Sequence, residues 1–157
     1  MASYRIISAD NHVYEPADLW ASRVEPKFRD RAPHVIRLPD EGDWWFCDGH
    51  KVVGAFAGAQ TGTRFDAPEK LSRSDLMEHV RPGGYLPEEH VKDMQADGVD
   101  AAVVYPTVGL LMYGVPDSEL LTAVFRGTTT GWPSSASLSR AGSRALPCSI
   151  STTCREE

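Results

Sequence analysis

A short apolar run near the amino terminus leads directly into two side chains that can bind metal. Residues 4–9 lack the alternation of polar and apolar side chains that marks a half-exposed strand, so they predict a buried strand of a parallel sheet. Asp10 and His12 follow, and residues two apart in an extended chain point to the same face. A carboxylate and an imidazole placed in this way suit zinc, manganese or iron. The alternative is a surface aspartate beside a histidine that only packs.

The next predicted elements are a hairpin, a helix and a second buried strand. Residues 16–80 form a long segment rich in Pro and Gly, in which residues 35–38 and 44–47 flank a polar turn and predict a β-hairpin. Pro87 with two following glutamates opens a helix that Gly98 ends. Residues 101–105 predict a second buried strand, and Asp117 or Ser118 caps a helix that reaches Phe125.

Two blocks of sequence resemble the amidohydrolase-related family. They are I-I-S-A-D-N-H-V-Y-E-P-A-D-L-W at 6–20 and G-V-D-A-A-V-V-Y-P-T-V-G-L at 98–110, with P-G-G-Y at 82–85 and E-H-V-K-D-M at 89–94 between them. The resemblance implies metal-dependent hydrolases and non-oxidative decarboxylases built on a (β/α)8 barrel, in which the first strand ends in H-x-H, E-x-H or D-x-H. It therefore implies an α/β fold: the N-terminal portion of a TIM barrel, with a β-hairpin excursion after the first strand.

The same resemblance assigns the site residues. Asp10 and His12 are the expected metal ligands, and the cation is a divalent metal, first of all zinc, with manganese or iron as alternatives. Family members complete the cation with a His after a middle strand and an Asp after the last strand, and neither position exists in this chain. We therefore expect weak or absent metal binding and assign no catalytic residue. Glu15, Trp20 and Tyr105 are candidate substrate-binding residues, with a turn charge for Glu15 and core packing for the two aromatic rings as the alternatives.

The resemblance ends at Arg126. Family members continue with a segment such as A-Y-N-D-W-L-A-E-F, whereas this chain reads G-T-T-T-G-W from residue 127. One permitted set of codons for residues 127–132, read from the third base of the first codon, encodes Y-N-D-W-L. Codons can be chosen in the same way as far as Thr153, so that the shifted frame continues to resemble the family. The segment is also rich in Ser and Thr, without a sustained periodic pattern. We therefore predict two regions, a barrel fragment at 1–126 and an out-of-frame, disordered tail at 127–157; a Ser/Arg-rich interaction tail is the alternative.

Length then limits the function. A complete barrel takes roughly 250 residues, and this chain has 157, so we expect an incomplete barrel with two of the eight strands. The expected parent activity is that of a metal-dependent hydrolase acting on a small-molecule substrate, with this chain truncated and inactive. One alternative is a non-oxidative decarboxylase of an aromatic carboxylic acid. Another is a non-catalytic remnant or subunit-association fragment, and a homo-oligomer is compatible with the parent family.

Charge and hydropathy exclude several other classes. The net charge of −6 and the pI near 5.3 argue against nucleic-acid binding. The sequence shows neither a signal peptide nor a long apolar span, so we expect a cytoplasmic protein without membrane contact. Three cysteines without zinc-knuckle spacing predict neither a structural zinc site nor a disulfide framework.

Overall fold

The computed structural model describes residues 5–131 and 144–147. Within these ranges the strands are β1 (Ile7–Val13), β2 (His34–Leu38), β3 (Gly42–Cys47), β4 (His50–Gly54), β5 (Ala101–Pro106) and β6 (Arg144–Pro147). The α-helices are α1 (Leu19–Arg23), α2 (Phe56–Ala59), α3 (Thr63–Asp66), α4 (Pro87–Ala96), α5 (Val108–Leu111) and α6 (Ser118–Gly131). Short 3-10 turns cover Pro26–Phe28, Pro68–Lys70, Met77–His79, Pro82–Gly84 and Met112–Gly114.

A parallel sheet in the order β1-β5-β6 is the first of two sheets in the described residues. Helix α4 precedes β5 and helix α6 precedes β6, so each new strand is reached through a helix. This is the βαβ arrangement that the two apolar runs predict. The expectation that the first strand is buried was wrong, since Ile7 is 66% exposed and Val13 is the one buried residue of β1. The sequence predicted two such strands, and the structure adds β6, a run too short to stand out by periodicity.

A β-bulge interrupts the pairing of β1 with β5. Ser8 pairs with Ala102 and Asn11 with Val104, so Ala9 and Asp10 together oppose Val103 alone. An extra residue in one strand reverses which face the later side chains occupy. As a result Asn11 lies on the α4 side of the sheet, and His12 lies beside Tyr105 on the opposite face, called the open face below.

The second sheet is antiparallel and contains the predicted hairpin. Strands β2 and β3 pair from His34 with Phe46 to Leu38 with Gly42, and β4 adds a third strand beyond the Asp48-Gly49 turn. Both residues of that turn have positive φ, at 52° and 76°. Asp-Gly is the sequence signature of a two-residue turn of this kind, so the third strand was predictable from the sequence.

Two apolar clusters hold the sheets and helices together. The larger one packs α1 and α6 against β3, with Trp20 and Trp45 edge to face at a centroid distance of 5.2 Å. The smaller one packs Met94 of α4 against Val13, Ala102 and Val104 of the parallel sheet. Edge-to-face geometry adds to the burial of large rings, so the tryptophan pair anchors the hairpin sheet to α1.

Three sequence-based boundaries differ from the structure. Strand β1 extends to Val13 and contains Asp10 and His12, whereas the sequence predicted a strand that ends at residue 9. Helix α6 continues to Gly131 instead of stopping near Phe125, and Thr128, one turn after Val124, bonds to Trp20. The tail expected to be disordered therefore contains helix at 127–131 and strand at 144–147. The rest of that tail lies outside the described residues, and its out-of-frame origin stays a prediction.

Candidate metal centre

Asp10 and His12 approach each other near the carboxyl end of β1. His12 Nε2 lies 3.4 Å from Asp10 Oδ1, and the two side chains are 43% and 84% exposed, respectively. Bonds from zinc to nitrogen and oxygen of about 2.0–2.2 Å at a tetrahedral angle place two ligand atoms about 3.3–3.5 Å apart. The observed separation matches that spacing. The distance between Asp10 Oδ1 and His12 Nε2 is therefore compatible with two ligands of one cation.

Asp10 and His12 are a pair of candidate ligands rather than a complete metal site. In residues 5–131 and 144–147, no group of three or more His, Cys, Asp or Glu side chains is placed to hold an ion. A catalytic zinc ion usually takes three protein ligands and one open position. Further ligands would have to come from outside the described residues.

Tyr105 and Thr107 surround the imidazole of His12. The Tyr105 ring lies 5.9 Å from the imidazole, centroid to centroid, with the two planes tilted by 35°. Thr107 Oγ1 lies 3.3 Å from His12 Nδ1, within hydrogen-bonding distance. The sequence predicted Tyr105 as a candidate substrate-binding residue, and the structure places its ring beside His12, a candidate metal ligand. The role of Thr107 was missed, because a hydroxyl after a strand gives no sequence signal of its own.

Glu15 is buried, with 3% of its surface exposed, and bonds to backbone groups after β5. Its carboxylate accepts hydrogen bonds from the Val108 and Gly109 amides at 2.9 and 2.8 Å. Burial raises the pKa of Glu15, and the backbone amides that bind the carboxylate oppose that shift. This position gives Glu15 a role in joining the ends of β1 and β5. Direct contact with a substrate stays a prediction that this burial does not favour.

Trp20 lies in the core rather than at the open face. Its surface is 0% exposed, and its indole N–H donates to the Val124 carbonyl and to Thr128 Oγ1, each at 3.1 Å. The packing alternative therefore accounts for Trp20. A role in substrate binding would require the core to open.

A cleft of about 620 Å³ borders β1 and α4. His90 of α4 lies against it; its Nδ1 is 2.8 Å from the Gly83 carbonyl, which can only accept, so Nδ1 carries a proton. The other ring nitrogen lies 3.5 Å from Asn11 Nδ2. His90 is therefore a buried histidine bonded to the backbone. The cleft has both polar and apolar walls, and several of its lining residues come from the segment 16–80.

The order of strands and helices around these residues is similar to that of a solved protein. A crystal structure of an amidohydrolase from Mycobacterium avium subsp. paratuberculosis K-10 superposes with a TM-score of 0.59 at 17% identity, over 94% of this chain and 42% of that chain. The fold is amidohydrolase-like. No protein-family model matches the sequence, and no curated protein is similar to it. The chain thus spans less than half the length of the structure it resembles.

An amidohydrolase-like fold gives the observed side chains a common setting. The carboxyl ends of parallel strands meet at one edge of a sheet, and Asp10, His12, Tyr105 and Thr107 all lie at that edge of β1 and β5. In barrels this edge carries the chemistry. Among the described residues, the helices are too short or too polar to cross a lipid bilayer.

Proposed function

We propose that this chain is the N-terminal part of a metal-dependent hydrolase of the amidohydrolase-related family. Asp10 and His12 would be two ligands of one divalent cation, with zinc as the first candidate and manganese or iron as alternatives. The observation that carries the proposal is the 3.4 Å separation between Asp10 Oδ1 and His12 Nε2 at the end of a parallel strand. The amidohydrolase-like fold supports it.

The residues near the cation would have different roles in the proposed reaction. A bound cation supplies an activated water and polarises the bond to be cleaved. Asp10 and His12 would hold it, and the Tyr105 ring would cover one side of the imidazole. Because Asp10 is largely exposed, a small-molecule substrate could approach the open face without any rearrangement of β1.

The chain by itself would be truncated and inactive. The described residues supply two ligands, and a catalytic zinc usually needs three. The remaining ligands would come from strands that correspond to the part of the solved amidohydrolase that this chain does not span. We propose that a frame change after Arg126 accounts for the difference, with 1–126 as the barrel fragment.

Two alternatives have an observation in their favour. A decarboxylase of an aromatic acid would use the same two ligands, and the Tyr105 ring on the open face offers a surface on which an aromatic substrate could stack. A non-catalytic remnant that associates with other subunits would use the apolar part of that face, where Ile7 is 66% exposed. The first alternative shares the cation, and the second does not need it.

Zinc titration of the purified chain, followed by calorimetry and by metal analysis after dialysis, tests the proposal. We expect weak binding at one site, lost in the isosteric variant Asp10→Asn and in His12→Gln. The matched control is His50→Gln, since His50 is an exposed histidine at the start of β4 in the other sheet. Equal binding by Asp10→Asn and the unmodified chain would exclude Asp10 and His12 as the site. Hydrolysis by the unmodified chain alone would contradict the proposed inactivity.

A further inference from the structure

Thr107 lies at the position where a threonine usually caps a helix, but its hydroxyl contacts His12 instead. It immediately precedes α5, and a threonine in that position normally accepts a hydrogen bond from an amide of the first turn. Within the described residues, Thr107 makes no such capping bond. Its hydroxyl lies instead 3.3 Å from Nδ1 of His12, across the gap between β5 and β1.

Glu15 occupies one of the amides that a capping threonine could bind. Its carboxylate accepts from the Val108 and Gly109 amides, and the Gly109 amide is in the second helical position, which an N-cap side chain can reach. The Thr107 amide bonds to the Val13 carbonyl at 3.0 Å, which fixes the backbone of Thr107 against β1. The turn is therefore held from two sides, and the hydroxyl of Thr107 is directed at the imidazole.

We propose that Thr107 is a positioning residue for His12, resting on the proposed function of Asp10 and His12 as metal ligands. The hydroxyl fixes the rotation of the imidazole so that Nε2 faces Asp10 Oδ1. A hydroxyl can donate to Nδ1 or accept from it, because its hydrogen rotates. It can therefore remain bonded when the proton of the neutral ring moves from Nε2 to Nδ1 and Nε2 becomes free to bind a cation. A partner for the second nitrogen of a ligand histidine strengthens metal binding.

Nuclear magnetic resonance on the metal-free full chain tests the positioning role independently of any metal. Three-bond couplings between Cα and the ring carbon Cδ2 report the rotation of the His12 ring about χ2, and nuclear Overhauser effects report the distance from its ring to residue 107. We expect one rotamer and a close contact in the unmodified chain and in Thr107→Ser, which keeps the hydroxyl. We expect averaged couplings in Thr107→Val and Thr107→Ala, because both variants lack the hydroxyl that contacts His12. Valine keeps the shape of the side chain, and alanine shows the effect without a branched side chain.

Zinc titration of the same variants gives the second readout. Thr107→Val and Thr107→Ala should weaken zinc binding by about 10-fold or more, and Thr107→Ser should restore it. An unchanged His12 rotamer in both Thr107→Val and Thr107→Ala would overturn the inference, as would equal disorder in Thr107→Ser. Failure of the unmodified chain to bind zinc, with ring order still lost in Thr107→Val, would reject the proposed function and leave the positioning role in place.

Discussion

The carboxylate of Glu15 bonds to the amide of Gly109 at 2.8 Å and thereby joins the end of β1 to the helix that follows β5. Its other oxygen takes the neighbouring amide of Val108. These bonds join residues far apart in sequence. They connect the carboxyl ends of β1 and β5, near which the candidate ligands lie. Gly109 suits this approach, since a Cβ at its position would lie 3.1 Å from Glu15 Oε1.

Replacing Glu15 by Gln should destabilise the protein. The amide keeps one acceptor, but its NH2 group faces a backbone N–H in a buried site, so one donor is left unpaired. We expect a loss of about 1–3 kcal/mol in the free energy of unfolding, measured by urea denaturation. Glu25→Gln, at an exposed position, is the control and should change stability little. A Glu15→Gln chain as stable as the control would show that the bonds to the amides contribute no net stability.

The buried carboxylate of Asp43 should make folding sensitive to acid. Arg37 beside it, with the Met77 amide, holds the pKa of Asp43 below its usual value of 3.8, although burial opposes the shift. A lowered folded-state pKa contributes stability above the unfolded-state value, and that contribution is lost as pH falls through the folded-state value. In urea denaturation between about pH 6 and pH 2.5, the unmodified chain should lose stability below about pH 4. Asp43→Asn should be less stable at neutral pH and show a smaller loss on acidification, and an identical pH dependence in the two chains would refute the assignment.

Trp20→Phe should loosen the contact between α1 and α6. Phenylalanine keeps most of the aromatic packing against Trp45 but cannot donate to the Val124 carbonyl or to Thr128. We expect a loss of about 0.5–1.5 kcal/mol, the usual net contribution of a hydrogen bond, because the Val124 carbonyl still accepts from Thr128 Oγ1 when the indole donor is removed. Trp44→Phe is the matched control, because the Trp44 indole bonds to Glu41 in an exposed turn. If the two variants unfold at the same urea concentration, the buried indole bonds are not stabilising.

Reinstating the alternative reading frame after Arg126 should produce a longer barrel. The continuation predicted from the sequence would add strands, and these would cover the open face where Ile7 is exposed. We expect a soluble protein that retains about one zinc ion per chain after dialysis, against little for the present chain. Sequencing across the codons for residues 125–132 is the direct check. An intact frame with no such downstream continuation would remove the basis for the predicted boundary at 126.

The sequence by itself identified the local elements and the candidate ligands. The apolar runs predicted β1 and β5, the Pro and Glu residues predicted the start of α4, and the polar turn predicted the pairing of β2 with β3. Spacing also brought Asp10 and His12 together, because residues two apart lie on the same side of a strand. These features depend on contacts between residues close in sequence, which is why a single sequence contains them.

Only the tertiary structure decided how distant residues share the rim. The bulge at Ala9 and Asp10 depends on the register with β5, and it determines that His12 lies beside Tyr105. The hydroxyl of Thr107 lies beside His12, while Glu15, 92 positions earlier in the printed sequence, binds the Gly109 amide that Thr107 could otherwise cap. Helix α6 passes residue 126, and Thr128 there bonds to Trp20. Each of these contacts joins residues far apart in sequence, so no local pattern predicts it.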